Sequence, residues 1–196
     1  MTAHGFGMYG MWGQAFDPGQ NVFSGRVRKE LDVNIGASPY NSDDVVKIAT
    51  AILALPPEVP ALVWGTSLGA NNAPLVAAYV FAKNPKRLIH GIWGFQASSY
   101  GVKAGDAPYY HGITPNVLFA HLTWSRTLFP VPGIGAYRWV PAPNNNTTKL
   151  HLDEVDDPHP GDGNVTVQNK YLDEMKGVIA RIWQLHDAAD MRDFLR

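Results

Sequence analysis

Apolar residues recur along this chain in two periods that take turns. "ALVWG" (61–65), "LIHGIWGFQAS" (88–98) and "NVLFAHLTW" (116–124) are short, near-continuous apolar runs. A strand covered on both of its faces reads that way. A fourth segment, "TTKLHLDEV" (147–155), alternates weakly, and "LDVNIG" (31–36) is a short strand stopped by the turn chemistry of "GASPYN". Between the runs the period changes. Val45, Ile48, Ala49 and Ile52 recur at helical spacing until "LPPEVP" stops them, with Ser42 as the expected cap and Asp43 and Asp44 placed well against the dipole. "ANNAPLVAAYVFAKNP" (70–85) predicts a second helix, with Pro74 early enough to be tolerated. Tyr171, Met175, Val178, Ile179 and Ile182 share one face of a third, over about 165–186. Residues 1–25, rich in Gly, Met and aromatics, read as a loop with one helix.

Strands alternating with helices predict an α/β fold: a mostly parallel central sheet with helices on both faces, a three-layer sandwich. No linker or repeat divides the chain, so residues 1–196 are expected to form one domain. In such sheets, sites gather at the carboxyl ends of the strands. Ser67, Gln96 and the loop after Val155 fall at such ends.

Composition narrows the chemistry. A net charge of −1 and a pI near 6.6, with no basic cluster denser than "RVRK" (26–29), predict no nucleic-acid partner. The chain has no cysteine, so it has neither disulfides nor thiolate metal sites. The first residues lack a basic and apolar leader pattern, and no apolar run is long enough for a membrane span. A cytoplasmic protein without a bound metal or cofactor is the expectation, with its oligomeric state left open.

The chemistry concentrates in "VWGTSLGAN", residues 63–71. Here G-x-S-x-G follows a predicted strand and opens a predicted helix, which is the context the motif requires. A serine held on so tight a turn adopts a strained backbone, and side chains at Gly65 or Gly69 would crowd the flanking strand and helix. The Leu68 amide, at the helix start, would face a developing oxyanion.

The segment resembles the nucleophile elbow of the α/β-hydrolase superfamily, especially its small esterase, lipase and cutinase-like members. "HGFG" (4–7) resembles that family's oxyanion loop, which implies the Phe6 amide as second oxyanion donor. The resemblance implies a reduced α/β-hydrolase core, lacking the family's first strands. Phe6, Met8, Tyr9 and Trp12, beside that loop, are the best candidates to line a pocket.

Among seven histidines, His159 stands apart in "VDDPHPGDGN", a loop between the last strand and last helix. The family carries its general base there, after the serine in chain order. His90, His121 and His151 fall in strands and read as core or edge residues. The acid is less defined, since "AHLTWSRTLFP" (120–130) holds no carboxylate. Asp156, three residues before His159, resembles the D-x-x-H block of the SGNH hydrolases and needs the fewest assumptions. Asp157, Asp162 and Asp106 remain alternatives, as does a neutral residue orienting the imidazole.

The expected activity is therefore hydrolysis of a small-molecule carboxylic ester, with an apolar acyl or alkyl group, through an acyl-enzyme on Ser67. An acyltransferase would use the same residues. The contrasting expectation is a binding or structural protein on this scaffold with catalysis lost.

Overall fold

A computed structural model describes residues 2–10, 18–36, 39–97, 112–125, 138–155 and 164–187. Five parallel strands form one sheet in the order β1-β2-β3-β5-β7: β1 (His4–Met8), β2 (Ala61–Thr66), β3 (Gly91–Phe95), β5 (Phe119–Trp124) and β7 (Lys149–Glu154). A separate parallel pair joins β4 (Gly112–Ile113) to β6 (Val140–Pro141). The helices are α1 (Pro18–Leu31), α2 (Val45–Ala54), α3 (Leu68–Lys83) and α4 (Val165–Asp187).

The apolar runs predicted as strands become β2, β3 and β5, and every residue of the three is buried. Residues alternate between the sheet's two faces. On one face Val63, Ile92, Ala120 and Leu122 pack with Ala70, Ala73, Val76, Ala77 and Val80 of α3, and with Ile48 and Ile52 of α2. On the other, Leu62, Trp64, Trp93, Phe95 and Phe119 meet Phe23 and Val27 of α1, and Tyr171, Met175 and Ile182 of α4. Each fully buried aliphatic side chain contributes about 1.5–3 kcal/mol. This is the expected three-layer arrangement.

Three local expectations change. The "LDVNIG" segment (31–36) does not form a ladder. It touches β1 through a bridge at Asn34, with Gly5 N–H donating to Asn34 O (2.8 Å), and Tyr40 adds a second bridge to Met8. Ser42 does not cap α2. The helix starts at Val45 behind Asp44, and the Ser42 carbonyl instead accepts a bond from Asn72 Nδ2 (2.5 Å). Finally, "HGFG" is strand rather than loop: it makes up most of β1. Its glycines serve packing, because a Cβ at Gly5 would lie 2.5 Å from the Trp64 ring and one at Gly7 2.5 Å from Trp64 Nε1.

Candidate active site at the carboxyl edge of the sheet

Ser67 stands between the last residue of β2 and the first of α3, with φ 51° and ψ −115°. An L-residue in that region costs on the order of 1–3 kcal/mol. Asp32 and Asn144 also have positive φ, at 52° and 66°, but Asp and Asn tolerate it in turns. Serine has no such excuse. Position offers it another role, since a serine preceding a helix ordinarily caps it. The Ser67 side chain makes no capping bond. Its backbone is held from both sides, with N–H donating to Phe95 O (2.9 Å) and C=O accepting from Asn71 N–H (3.1 Å).

The flanking glycines are required by contact. A Cβ at Gly65 would stand 2.4 Å from the Gly69 carbonyl carbon, and one at Gly69 2.5 Å from Tyr9 O and 2.7 Å from Met8 O. Strand, helix and the exit of β1 therefore close on one another at the turn. Ser67 and Leu68 are nevertheless half-buried, while Gly65, Thr66, Gly69 and Ala70 around them are buried. Leu68 opens α3, so its N–H belongs to the first-turn amides that have no acceptor within the helix.

Polar groups line the same edge. Gln96, which follows β3, also has φ 51°; its N–H donates to Thr123 O (2.8 Å) and its Oε1 accepts from Ser125 N–H (2.9 Å). Thr66 Oγ1 donates to Gln20 Oε1 (3.0 Å). Trp139 Nε1 donates to Ala70 O (3.2 Å), bracing the start of α3. Sequence reasoning missed Gln20 and Trp139, because both reach the turn from distant segments. Gln96 carried a signal, as the polar exit of an apolar run.

Phe6 is not at this edge. It pairs in register with Val63, near the middle of β1, and its ring lies in the core beside Tyr40 and His4. His4 N–H donates to Pro60 O, and alternation along a strand turns the Phe6 amide the same way, into the β1–β2 ladder. That amide is consumed by the sheet and does not serve an oxyanion. What approaches the elbow is the chain leaving β1, at Met8 and Tyr9. Met8 is itself fully buried, as core rather than pocket lining, and Tyr9 hydrogen-bonds Asn21 Oδ1 through its hydroxyl (2.5 Å). Burial lowers the pKa of His4, at the opposite end of β1.

His159 and Asp156 lie outside the described residues, as do Asp157, Asp162, Asp106 and Trp12. His159, Asp156, Asp157 and Asp162 fall in sequence between Val155, after β7, and Asn164, before α4.

The sequence matches no protein-family model and no curated protein. Solved structures do match. A provisionally named hydrolase of the alpha/beta superfamily from Xanthomonas campestris pv. campestris aligns with 88% of this chain and 97% of its own, at a TM-score of 0.55 and 14% identity. The thioesterase domain SrfTE, described for the cyclization of the lipopeptide antibiotic surfactin, aligns with 88% of this chain and 92% of its own, at 0.53 and 14%. Identity this low speaks to architecture. The chain has an α/β-hydrolase-like fold. Among the described residues, no helix is long and apolar enough to cross a membrane.

Proposed function

We propose that this protein is a serine hydrolase that cleaves carboxylic esters through Ser67. The observation that carries the reading is the backbone of Ser67: a non-glycine residue at φ 51°, at a strand-to-helix turn, whose side chain declines the capping bond open to it. Strain of this kind persists only where the surroundings over-determine it, and it is concentrated at functional sites.

In the proposed mechanism the Ser67 hydroxyl attacks the ester carbonyl while His159 Nε2 takes its proton. Asp156 accepts the Nδ1 hydrogen bond and stabilises the imidazolium. Negative charge on the former carbonyl oxygen is met by the Leu68 N–H at the start of α3, where the helix dipole adds to the bond. Collapse of the tetrahedral adduct breaks the ester C–O bond, and the imidazolium protonates the departing alkoxide. Water, deprotonated by His159, then releases the acid and regenerates Ser67. Likeness to the surfactin thioesterase domain supports a second acceptor: a nucleophile other than water would make the same acyl-enzyme an acyl-transfer intermediate.

Labelling with a fluorophosphonate tests the assignment. Wild-type protein should label at Ser67, identified by mass spectrometry, and Ser67→Ala and His159→Ala should not. Folded wild-type protein that fails to label and hydrolyses no ester in a panel of chain lengths would favour the non-catalytic scaffold.

A further inference from the structure

The inward face of the sheet under α4 holds a second constellation, apart from the serine turn. His121 of β5 is in register with His151 of β7, and Thr123 with Asp153. Two imidazoles thirty residues apart in sequence therefore stand side by side, with ring centroids 5.8 Å apart. Glu174 of α4 reaches down onto them. His121 Nδ1 lies 2.9 Å and 2.7 Å from its two carboxylate oxygens, and Trp93 Nε1 donates to Oε2 (3.1 Å). Ligand atoms of His121, His151 and Glu174 all fall within 4.8 Å of one another.

His121 has no exposed surface, and both edges of its ring face a carboxylate. Nε2 is buried 3.1 Å from Asp153 Oδ2. A neutral imidazole carries one N–H, so it would present a bare lone pair to one of these anions. The arrangement calls for positive charge, on the ring itself or on an ion held beside it. Asp153 already has a cation, the Lys170 ammonium ion-paired to it. Glu174, in contact with His121 and the Trp93 indole, has no Lys or Arg partner among the described residues.

We propose that His121, His151 and Glu174 form a binding site for a zinc-class divalent transition ion. Two imidazole nitrogens and one carboxylate suit Zn²⁺ or Co²⁺ far better than Mg²⁺ or Ca²⁺, which favour all-oxygen shells. Ligation through His121 Nδ1 turns Nε2–H toward Asp153, giving the carboxylate–imidazole–metal relay that fixes a ligand's tautomer and orientation. Lys170 then anchors the relay's outer carboxylate. Edge strand β7 supplies an entry path, since His151 is half-buried while His121 is sealed. The ion ties β7 to α4, the two elements between which residues 155–164 run. This site does not depend on the chemistry assigned to Ser67.

The test is metal titration of the full chain after dialysis against a chelator, with ZnCl₂ followed by calorimetry and CoCl₂ by visible absorption. One equivalent should bind, with a Co²⁺ d–d spectrum of four- or five-coordinate intensity. His151→Gln and Glu174→Gln should each weaken binding at least 100-fold, while Ser67→Ala and His159→Gln leave it unchanged. His151→Gln is the primary variant because its side chain is half-buried; near-UV circular dichroism of each metal-free variant confirms folding. Absence of stoichiometric binding, or binding that survives His151→Gln and vanishes in His159→Gln, overturns the proposal.

Discussion

At the carboxyl end of the sheet, Ser67 and Gln96 both sit at φ 51°, in adjacent strand exits tied by the Ser67 N–H to Phe95 O bond. At the amino end buried polar side chains close on the backbone. The Arg87 guanidinium donates to Pro56 O, Pro57 O and Val59 O, and Asn116 Nδ2 to Ala77 O and Arg87 O. His90 Nδ1 accepts the Ala61 amide (3.3 Å). Both ends use polar side chains on backbone groups, but the positive-φ residues at the amino end are Asp32 and Asn144, which tolerate it, whereas those at the carboxyl end are Ser67 and Gln96. The difference marks the carboxyl edge as the end where Ser67 and Gln96 hold conformations that serine and glutamine rarely adopt.

The largest expected effect breaks that strain directly. Ser67→Gly removes both the nucleophile and the Cβ that makes φ 51° expensive. Labelling and ester hydrolysis should fall by at least ~10³-fold. Stability should rise, by about 1 kcal/mol after glycine's own entropic cost, or roughly 3 °C in Tm for a chain of this size. Thermal melts of wild type, Ser67→Ala and Ser67→Gly separate the contributions, because alanine keeps the Cβ and should gain little. A Tm that drops in the glycine variant would mean the turn is not strained.

A second comparison runs across the sheet rather than along it. α3 meets the sheet itself through apolar side chains, its polar bonds going to Ser42, Asn116 and Trp139 outside the strands, whereas α4 bonds the strands directly: the Tyr171 hydroxyl donates to Gly94 O (2.5 Å) and accepts from Thr123 N–H (2.8 Å). Burial pushes that phenol's pKa far up, so it stays a donor at any working pH. Tyr171→Phe removes the hydroxyl's bonds to Gly94 O, Thr123 N–H and Thr123 Oγ1 and should cost about 1–3 kcal/mol by urea unfolding. Ile92→Val, in the apolar cluster under α3, should cost only about 1 kcal/mol. Equal losses would show that α4 is held by its apolar contacts alone.

Much of this layout was legible because burial on both faces leaves an unambiguous mark. "ALVWG" and "NVLFAHLTW" can be little else than central strands, and the elbow glycines announce a close approach. β1 was not legible. Its glycines look like loop chemistry, and only the Trp64 ring, fifty-odd residues away, explains them. The "LDVNIG" run misled in the opposite sense, since a short apolar segment with one neighbour need form no ladder. Neither could the His121–His151 pair be read from spacing. Strand register, rather than sequence separation, makes them neighbours, and each alone resembles an ordinary core histidine.

His90 sharpens the contrast between the two ends, and between two kinds of buried histidine. His121 lies among carboxylates, while His90 lies against apolar core and the Arg87 charge. Burial first, and Arg87 next, push the His90 pKa down to about 3. The unfolded chain takes up a proton at this side chain below about pH 6.5, and the folded chain does not until far lower. Stability is thus fully present above pH 6.5 and is lost as pH falls toward 3, at about 1.4 kcal/mol per pH unit. His4 and His151, also lowered, add to the same slope, so the measurement has to be a difference. His90→Gln keeps an acceptor for the Ala61 amide and removes the titration. Urea unfolding at pH 7 and pH 5 should show the variant losing about 1–2 kcal/mol less than wild type between the two. Parallel losses would place a proton on His90 in the folded state and deny the amino end the closed, neutral character that sets it apart from the serine edge.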